Sequence, residues 1–598
     1  MCFTFSGGSR SAEAQNKLPP IIDREIIFGN PEISDARISP NGKFVAFRKP
    51  YKGTMNLWVK PVDGRFDNAR LLTNETARPI SDFFWSRDGE FVLFEKDNGG
   101  DENYNIYAVF AESQPINGAE VPVARNLTNA RSVRTKIYRL PFNEPDAIYV
   151  GLNDRDPKWH DLYKIKISTG ERILLRQNTD RFVGWQFDNA DNLRLARRST
   201  PAGDTEILRL DAGDKFTVIY LCNVFEVCVP IRFHKDNRRV YMKTSKGTDT
   251  DLVKLVLLDV ETGKVETVES DPLNRADFRG ASFSNLTGEL ISTYYENDKL
   301  RFDYKDRKFA ADYKFLQNKF AGKSVEFSSG TEDERLWLIF VYSDIEPGEI
   351  HLFDRRTKKL TLQYRNRERL PREHLAEMQP IRYKSSDGLE IPAYLTLPKG
   401  VPARRLPLIV NPHGGPQSRE HWEYNNYAQF WANRGYAVLQ PNFRGSVGYG
   451  KKFVDAGNLQ WGEKMQDDLT WGVKHLVAQG IVDEKRVGII GGSYGGYSAL
   501  AGLTFTPDLY QAAVAFVAPS NLITTLEVVP AYSQVLRIID RVRVGDLNTP
   551  EGGAQLKRQS AIEFVERIKA PLMVVQGAND PRTDRGESDQ IVIAMRDK

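Results

Sequence analysis

Cysteine is nearly absent, with three in 598 residues. That excludes a disulfide-stapled scaffold and any cysteine-based zinc framework. The seven histidines are scattered, without a His-Glu-x-x-His pair or other ligand spacing, so no metal or other cofactor is expected. Neither sign of charge dominates. Lys and Arg number 83 and Asp and Glu 79, a net +4, whereas a nucleic-acid binder concentrates far more positive charge. The most basic stretch, Lys299 to Lys323, is interleaved with Asp303, Asp306, Asp312 and aromatics, and reads as a solvated strand and loop face. No apolar run approaches the ~18–20 residues of a membrane-spanning helix. The longest, around Ala512–Ala518, is the size of a strand. The amino-terminal MCFTFSGGSRSAEAQ lacks the basic flank and apolar centre of a complete secretion signal. Ala12-Glu13-Ala14 nevertheless has the small-x-small form of a signal's end, so export stands as an expectation beside a cytoplasmic location. Cys222 and Cys228, six apart in an apolar strand-like stretch, leave two readings open: a bridge in an oxidising compartment, or free core thiols.

What the chain does have is a core and a repeat. Hydrophobic residues make up 40% and charged residues 27%, enough for a sizeable core. A unit of apolar residue, polar turn and alternating apolar strand recurs, as ISPNGKFVAF from Ile38, WSRDGEFVLF from Trp85 and FNEPDAIYVG from Phe142. Weaker copies start at Phe187, Phe233, Phe283 and Ser328. Asn-Gly, Asp-Gly and Asp-Asn permit the positive φ of tight hairpin turns, and period-two alternation supplies the strands. Spacings of about 45–57 residues match a four-stranded propeller blade. Seven units predict a seven-bladed β-propeller over 33–366, behind an amino-terminal extension of 1–32; paired β-sandwiches are the alternative.

From Gln379 onward strand-like runs alternate with helical ones, which predicts an α/β sheet domain over 367–598. The order reads hairpin around Asp387-Gly388, buried strand from Pro407 to near Asn411, helix to Gly435 and then a strand, helix at Asp467–Gln479, and a buried strand at Pro571–Gly577. Between the last two, RVGIIGGSYGGYSAL reads as strand, glycine turn and helix. Gly491-Gly492-Ser493-Tyr494-Gly495 there fits G-x-S-x-G in the context a nucleophile elbow needs. Such a turn strains the serine backbone, lifts its hydroxyl above the sheet, and points the next helix's amides at developing negative charge. Ser493 is the candidate nucleophile. The competing Gly-rich reading, a dinucleotide loop, lacks its G-x-G-x-x-G spacing. His413-Gly414-Gly415-Pro416 follows a strand, and its glycines allow backbone amides to approach a substrate oxygen. Gly415 and Tyr494 are the candidate oxyanion-hole donors, with His413 orienting the loop. Asp580 follows the last apolar strand, where an α/β-hydrolase carries its second triad member; a cap for a helix near Glu587 is the competing role.

HGGP, NFRGSVGYG (Asn442–Gly450), GGSYGGY and GANDPR (Gly577–Arg582), in this order behind a propeller, resemble the prolyl oligopeptidase family of serine peptidases, on its acylaminoacyl-peptidase and dipeptidyl-peptidase-like side. The resemblance covers nearly the whole chain. It implies an α/β-hydrolase domain under a propeller that excludes folded proteins, and hydrolysis of short peptide substrates. It also implies that Ser493 attacks, Asp580 orients the base, and the amides of Gly415 and Tyr494 hold the oxyanion. No chemical role falls to Arg444–Gly450. The family's catalytic histidine lies beyond the Asp, in a loop before a last helix. Only eighteen residues follow Asp580, none of them His, and His421 and His475 stand in the wrong places to substitute. In one serine protease the loss of His alone costs on the order of 10⁶ in kcat. The expectation is therefore a serine peptidase whose catalytic His is absent from this chain, along with a last strand and helix. The alternatives are an inactive propeller–hydrolase module that binds peptides, and an esterase. Nucleic acid and membrane are not expected as partners, while a homo-oligomer remains open. Glu226, between two cysteines, has two readings: a clamp for a free amino terminus, or a solvated strand residue.

Overall fold

The computed structural model describes residues 17–598; the Ala12–Ala14 stretch lies outside them. From Ser34 to Arg365 the chain forms seven consecutive antiparallel sheets, spanning 34–71, 82–126, 135–176, 182–222, 228–269, 278–304 and 324–365. The turn chemistry repeats in atomic detail. Ser39 Oγ accepts from Phe44 N, and Ser86 Oγ from Phe91 N, both at 2.9 Å. No strand is shared between the first and last blades. The ring closes by Ile38 N donating to Ser329 Oγ (3.1 Å), Glu332 N donating to Pro40 O (2.9 Å), and packing of Ile38, Val45 and Phe47 on Leu338 and Ile350.

The sixth blade has three strands and is followed by a helix, Arg307–Lys319. This corrects the expectation of a solvated strand and loop face at Lys299–Lys323. Asp306 caps the helix by accepting from Lys308 N and Phe309 N, and Phe309, Asp312 and Leu316 turn inward. Asp312 is buried because Arg355 and Lys358 both meet its carboxylate. Cys222 ends one strand of the fourth blade and Cys228 starts the fifth. They are joined as a disulfide with Cα atoms 6.3 Å apart, which decides between the two readings.

The second unit is a seven-stranded sheet. Across it run Met378–Lys384, Glu390–Thr396, Ala437–Pro441, Leu406–Val410, Val482–Gly492, Ala512–Phe516 and Leu572–Val575. The first two strands are antiparallel to their neighbours and the rest are parallel. Helices cover both faces, so the central strands are buried and read as apolar runs. Together these features make a seven-bladed β-propeller followed by an α/β-hydrolase domain. Residues before the propeller pack on the hydrolase: helix Arg24–Phe28 lies near helix Asn426–Ala432, and Ile22 N donates to Asn433 Oδ1 (2.7 Å).

Leu572–Val575 has the apolar character of the buried strand expected but forms a half-exposed edge, as the expected lack of a last strand and helix leaves it. It pairs only with Ala512–Phe516, and Met573 is 61% exposed. The adjacent helix Arg585–Asp597 likewise leaves Ile593 55% exposed. Among the described residues no strand pairs with the far edge of Leu572–Val575. No helix among them is long and apolar enough to cross a membrane.

Candidate active site

Ser493 stands where strand Val482–Gly492 meets helix Tyr494–Phe505, at φ 55° and ψ −120°. A non-glycine residue there stores on the order of 1–3 kcal/mol of strain, which persists only where the surroundings over-determine it. Here they do. A Cβ on Gly491 would sit 2.5 Å from the Gly495 backbone, and one on Gly495 would sit 2.3 Å from Pro412 O. Strand, helix and HGGP loop are thus in backbone contact, and Ser493 is left exposed above them. Its neighbour Tyr494 faces inward, packed on Trp461 (4.6 Å between ring centroids) and Phe443 (5.1 Å). Burial pushes its hydroxyl well above the usual phenol range, so Tyr494 offers the site its first-turn amide and not its side chain.

The HGGP loop crosses in front of the elbow, close enough that a Cβ on Gly414 would lie 3.4 Å from Ser493 Cβ. Gly415, at φ 119°, lines the same cavity as Ser493 and Tyr494. Both ring nitrogens of His413 are engaged in holding this loop. Nδ1 donates to Gly414 O (2.7 Å), and Nε2 lies 2.9 Å from Ser446 Oγ, with the ring stacked on Phe443. Burial pulls His413 down to about 4, so the ring is neutral at ordinary pH. The Asn442–Gly450 loop, to which the sequence assigned no role, braces these groups. Arg444 is buried between Asp468 (2.8 Å) and Asp387 (2.8 Å), and Ser446 Oγ, whose one hydrogen serves Nε2 of the neutral ring, also lies 2.6 Å from Phe443 O.

Asp580 lies on the loop after the edge strand. Its Oδ1 accepts from the amides of Arg582 (2.8 Å) and Thr583 (3.0 Å), and among the described residues no donor meets Oδ2. The helix that follows is capped by Asp584, which accepts from Gly586 N (2.7 Å), so the capping role falls to that residue and not to Asp580. The propeller holds the loop on both sides of Asp580. Asn579 Nδ2 donates to Gly99 O (2.8 Å), and Arg582 Nε donates to both oxygens of Glu102 (2.8 and 3.0 Å). Glu102 also accepts from Arg134 (3.0 Å) and Tyr532 (3.3 Å). Although burial opposes it, the two guanidinium groups hold Glu102 below the usual carboxylate range.

Ser493, Tyr494, Gly415, Arg582 and Thr583 share a cavity of 340 Å³, roofed by Arg134 and Lys136 of the propeller. A larger cavity of 710 Å³ adjoins it through Gln417 and Leu536, and Glu226 and Lys243 line that one. Glu226 stands on the loop closed by the disulfide, its carboxylate accepting from Asn223 N (3.0 Å) and Gly247 N (2.9 Å). Of the site residues read from sequence, Ser493, Tyr494 and Gly415 therefore meet at one cavity, while Asp580 stands on a loop whose next residues line it. Among the described residues no histidine bonds to Ser493 or Asp580. His421 is held by Glu296 (2.7 Å), and His475 stacks on Tyr383. The propeller's share, Glu102, Arg134 and Lys136, was not found from sequence. No motif marks residues that lie more than 350 positions from the serine.

Residues 422–598 match the model of the prolyl oligopeptidase family. The chain is 37% identical over 590 residues to dipeptidyl aminopeptidase BIII of Pseudoxanthomonas mexicana, covering 97% of this chain and 83% of that one. It is 31% identical to dipeptidyl peptidase family member 6 of Caenorhabditis elegans, covering 97% and 82%. Its fold is similar to that of a puromycin-hydrolyzing peptidase of Mycobacterium tuberculosis, with a TM-score of 0.75 at 17% identity over 98% of this chain and 92% of that one.

Proposed function

Because the chain belongs to the prolyl oligopeptidase family of serine peptidases, we propose that it works by acyl transfer through Ser493, cutting dipeptides or acylated residues from short peptides. One observation carries the reading: an exposed serine held at φ 55° on a helix N-terminus, facing Gly415 in a cavity of 340 Å³ that the propeller roofs. Ser493 Oγ attacks the peptide carbonyl, and the amides of Tyr494 and Gly415 take the developing oxyanion. The amine leaves with the proton first taken from Oγ, and water then releases the acyl group. The proton carrier is an imidazole oriented by Asp580, whose Oδ2 is open to receive its N–H. Such a histidine would be borne by further chain pairing with the open edge of Leu572–Val575 and covering Ile593. Cavity size argues for short peptides over folded chains. The names of both relatives favour dipeptides, and Glu226 in the adjoining cavity offers a carboxylate for a free amino terminus.

Chemical rescue tests this on the 598-residue chain. Imidazole supplied in solution takes the place of the side chain, and ester or X-Pro anilide hydrolysis rises about tenfold or more, within the range of general-base catalysis. The rescued rate disappears in Ser493→Ala and falls strongly in Asp580→Asn. Rescue that survives Ser493→Ala would sink the assignment. Absence of rescue, with peptides still bound, favours an inactive peptide-binding module. Rescue with esters alone favours an esterase, and N-acetyl-aminoacyl against free dipeptidyl substrates separates the two peptidase modes.

A further inference from the structure

The cations that line the two adjoining cavities fall into two groups. Arg134 and Arg582 share Glu102, Arg279 is paired with Glu296, and Arg543 with Asp455. Arg419 and Lys451 donate to backbone carbonyls. Lys136 and Lys243 stand apart. Among the described residues neither ammonium has a carboxylate or carbonyl partner, and Lys136 shares its cavity with Ser493. Arg197, next to both lysines, is equally without an acidic partner. The three come from the third, fourth and fifth blades and form one arc on the propeller.

An ammonium withdrawn from water without a partner is unfavourable, and the neighbouring cations make it more so. Burial first, then Arg134 and Arg197, pull Lys136 down to about 8; burial and Arg197 lower Lys243 as well. Among the described residues no carboxylate pairs with either lysine to compensate. Asp540 lines the Lys136 cavity, but burial pushes its carboxyl up to about 7, so much of it is protonated near neutrality. Asp277 favours the charged form of Lys243 without pairing to it. What would relieve the arc is a carboxylate brought in from outside.

We propose that the Ser493 cavity selects peptides that carry a carboxylate, received by Lys136 with Arg197 and Lys243 behind it. The proposal rests on Ser493 being the reacting group, and it names the substrate class for that same site. Glu226 lines the adjoining cavity, so a short zwitterionic peptide that spans both cavities can meet Lys136 with its carboxylate and Glu226 with its ammonium. The carboxylate has two sources, the peptide's own carboxyl terminus or an acidic side chain.

Binding to the full chain carrying Ser493→Ala reads the preference without turnover. Two matched pairs separate the sources: Gly-Pro-Gly as free acid against its amide, and Gly-Pro-Glu-amide against Gly-Pro-Gln-amide. In at least one pair the carboxylate is expected to bind about tenfold or more tightly, with a preference that weakens as salt rises. Adding Lys136→Met, or Lys136→Gln should the first variant fold poorly, brings the ratio close to one. Lys243→Met lowers it less. Equal affinities in both pairs, a ratio that the Lys136 variants leave unchanged, or no peptide binding at all would overturn the proposal. Imidazole rescue without a carboxylate preference sinks this inference alone. A preference without rescue sinks the Ser493 chemistry and leaves a carboxylate-binding cavity.

Discussion

The two halves of the site are held by opposite means. The elbow is fixed from within the hydrolase, between two central strands, by backbone packed against backbone and by the His413–Ser446 and Arg444–Asp468 contacts beneath it. The Asp580 loop rides on a half-exposed edge strand and is tied down from outside, by Gly99 and Glu102 of the propeller. A site built this way has one part that is rigid wherever the propeller sits and one part that depends on it. The two parts should therefore fail separately, under different insults.

The largest effect belongs to the elbow. Gly495→Ala puts a Cβ 2.3 Å from Pro412 O, a contact that only movement of the helix or the HGGP loop relieves. Either movement disturbs a proposed oxyanion donor, and the loss of such a donor costs about 10²–10³ in kcat, on top of ~1–3 kcal/mol of overpacking. The imidazole-rescued rate should drop by that factor while hydrogen exchange over 577–584 stays as it was. Fast exchange in both places would mean that the halves are not independent.

Within the site, acid should act on the elbow before the Asp580 loop, while His160, buried in the third blade and pulled down to about 3, adds a like loss in the propeller. His413 is held by burial at about 4 in the folded chain, below the ~6.5 of an unfolded histidine. Between those values the unfolded chain binds the proton more readily, so stability is retained above pH 6.5 and lost as pH falls toward 4. At pH 5 the loss from this one ring is about 2 kcal/mol. Glu102, held low by its two guanidinium partners, keeps its charge through that window, so the Asp580 tether outlasts the HGGP loop. A urea titration at pH 7 and pH 5 checks the slope. If His413→Gln leaves the slope unchanged, another group is responsible.

The same division governs what was legible in the sequence. Gly491 to Gly495 are contiguous, and their glycines are demanded by contacts among near neighbours, so strand, turn and helix were readable together. The blades were readable because turn residues such as Asn41-Gly42 recur with the strands they join. Helix Arg307–Lys319 was missed because its charged face resembles loop composition, and the Asp312 partners lie more than 40 residues onward. Leu572–Val575 reads as a buried type of strand because hydrophobicity reports what a strand is suited to pair with, not whether a partner is at hand. Asn579 and Arg582 were visible beside Asp580, but their acceptors Gly99 and Glu102 lie 480 residues away, beyond any local pattern.

The tether supplies the smaller and sharper test. Glu102→Gln keeps the shape of the side chain but removes the charge that gathers Arg582, Arg134 and Tyr532, while Asn579 to Gly99 still stands. The loop should be loosened, not released. Misplacing a catalytic group by about 1 Å can cost 10²-fold, so a partial loosening should lower the rescued kcat by roughly tenfold. KM should change less than kcat: Glu102 itself does not line the serine cavity, although Arg134, Arg582 and Tyr532, which it holds, do. Exchange over 577–584 should quicken, exchange over 491–497 should not, and Glu102→Asp should restore part of the rate through a longer ion pair. A merely structural role would lower stability and leave kcat of the folded fraction intact. If exchange over 577–584 is unmoved in Glu102→Gln, the loop is held by its own turn at Asp580, and the dependence of this half of the site on the propeller is wrong.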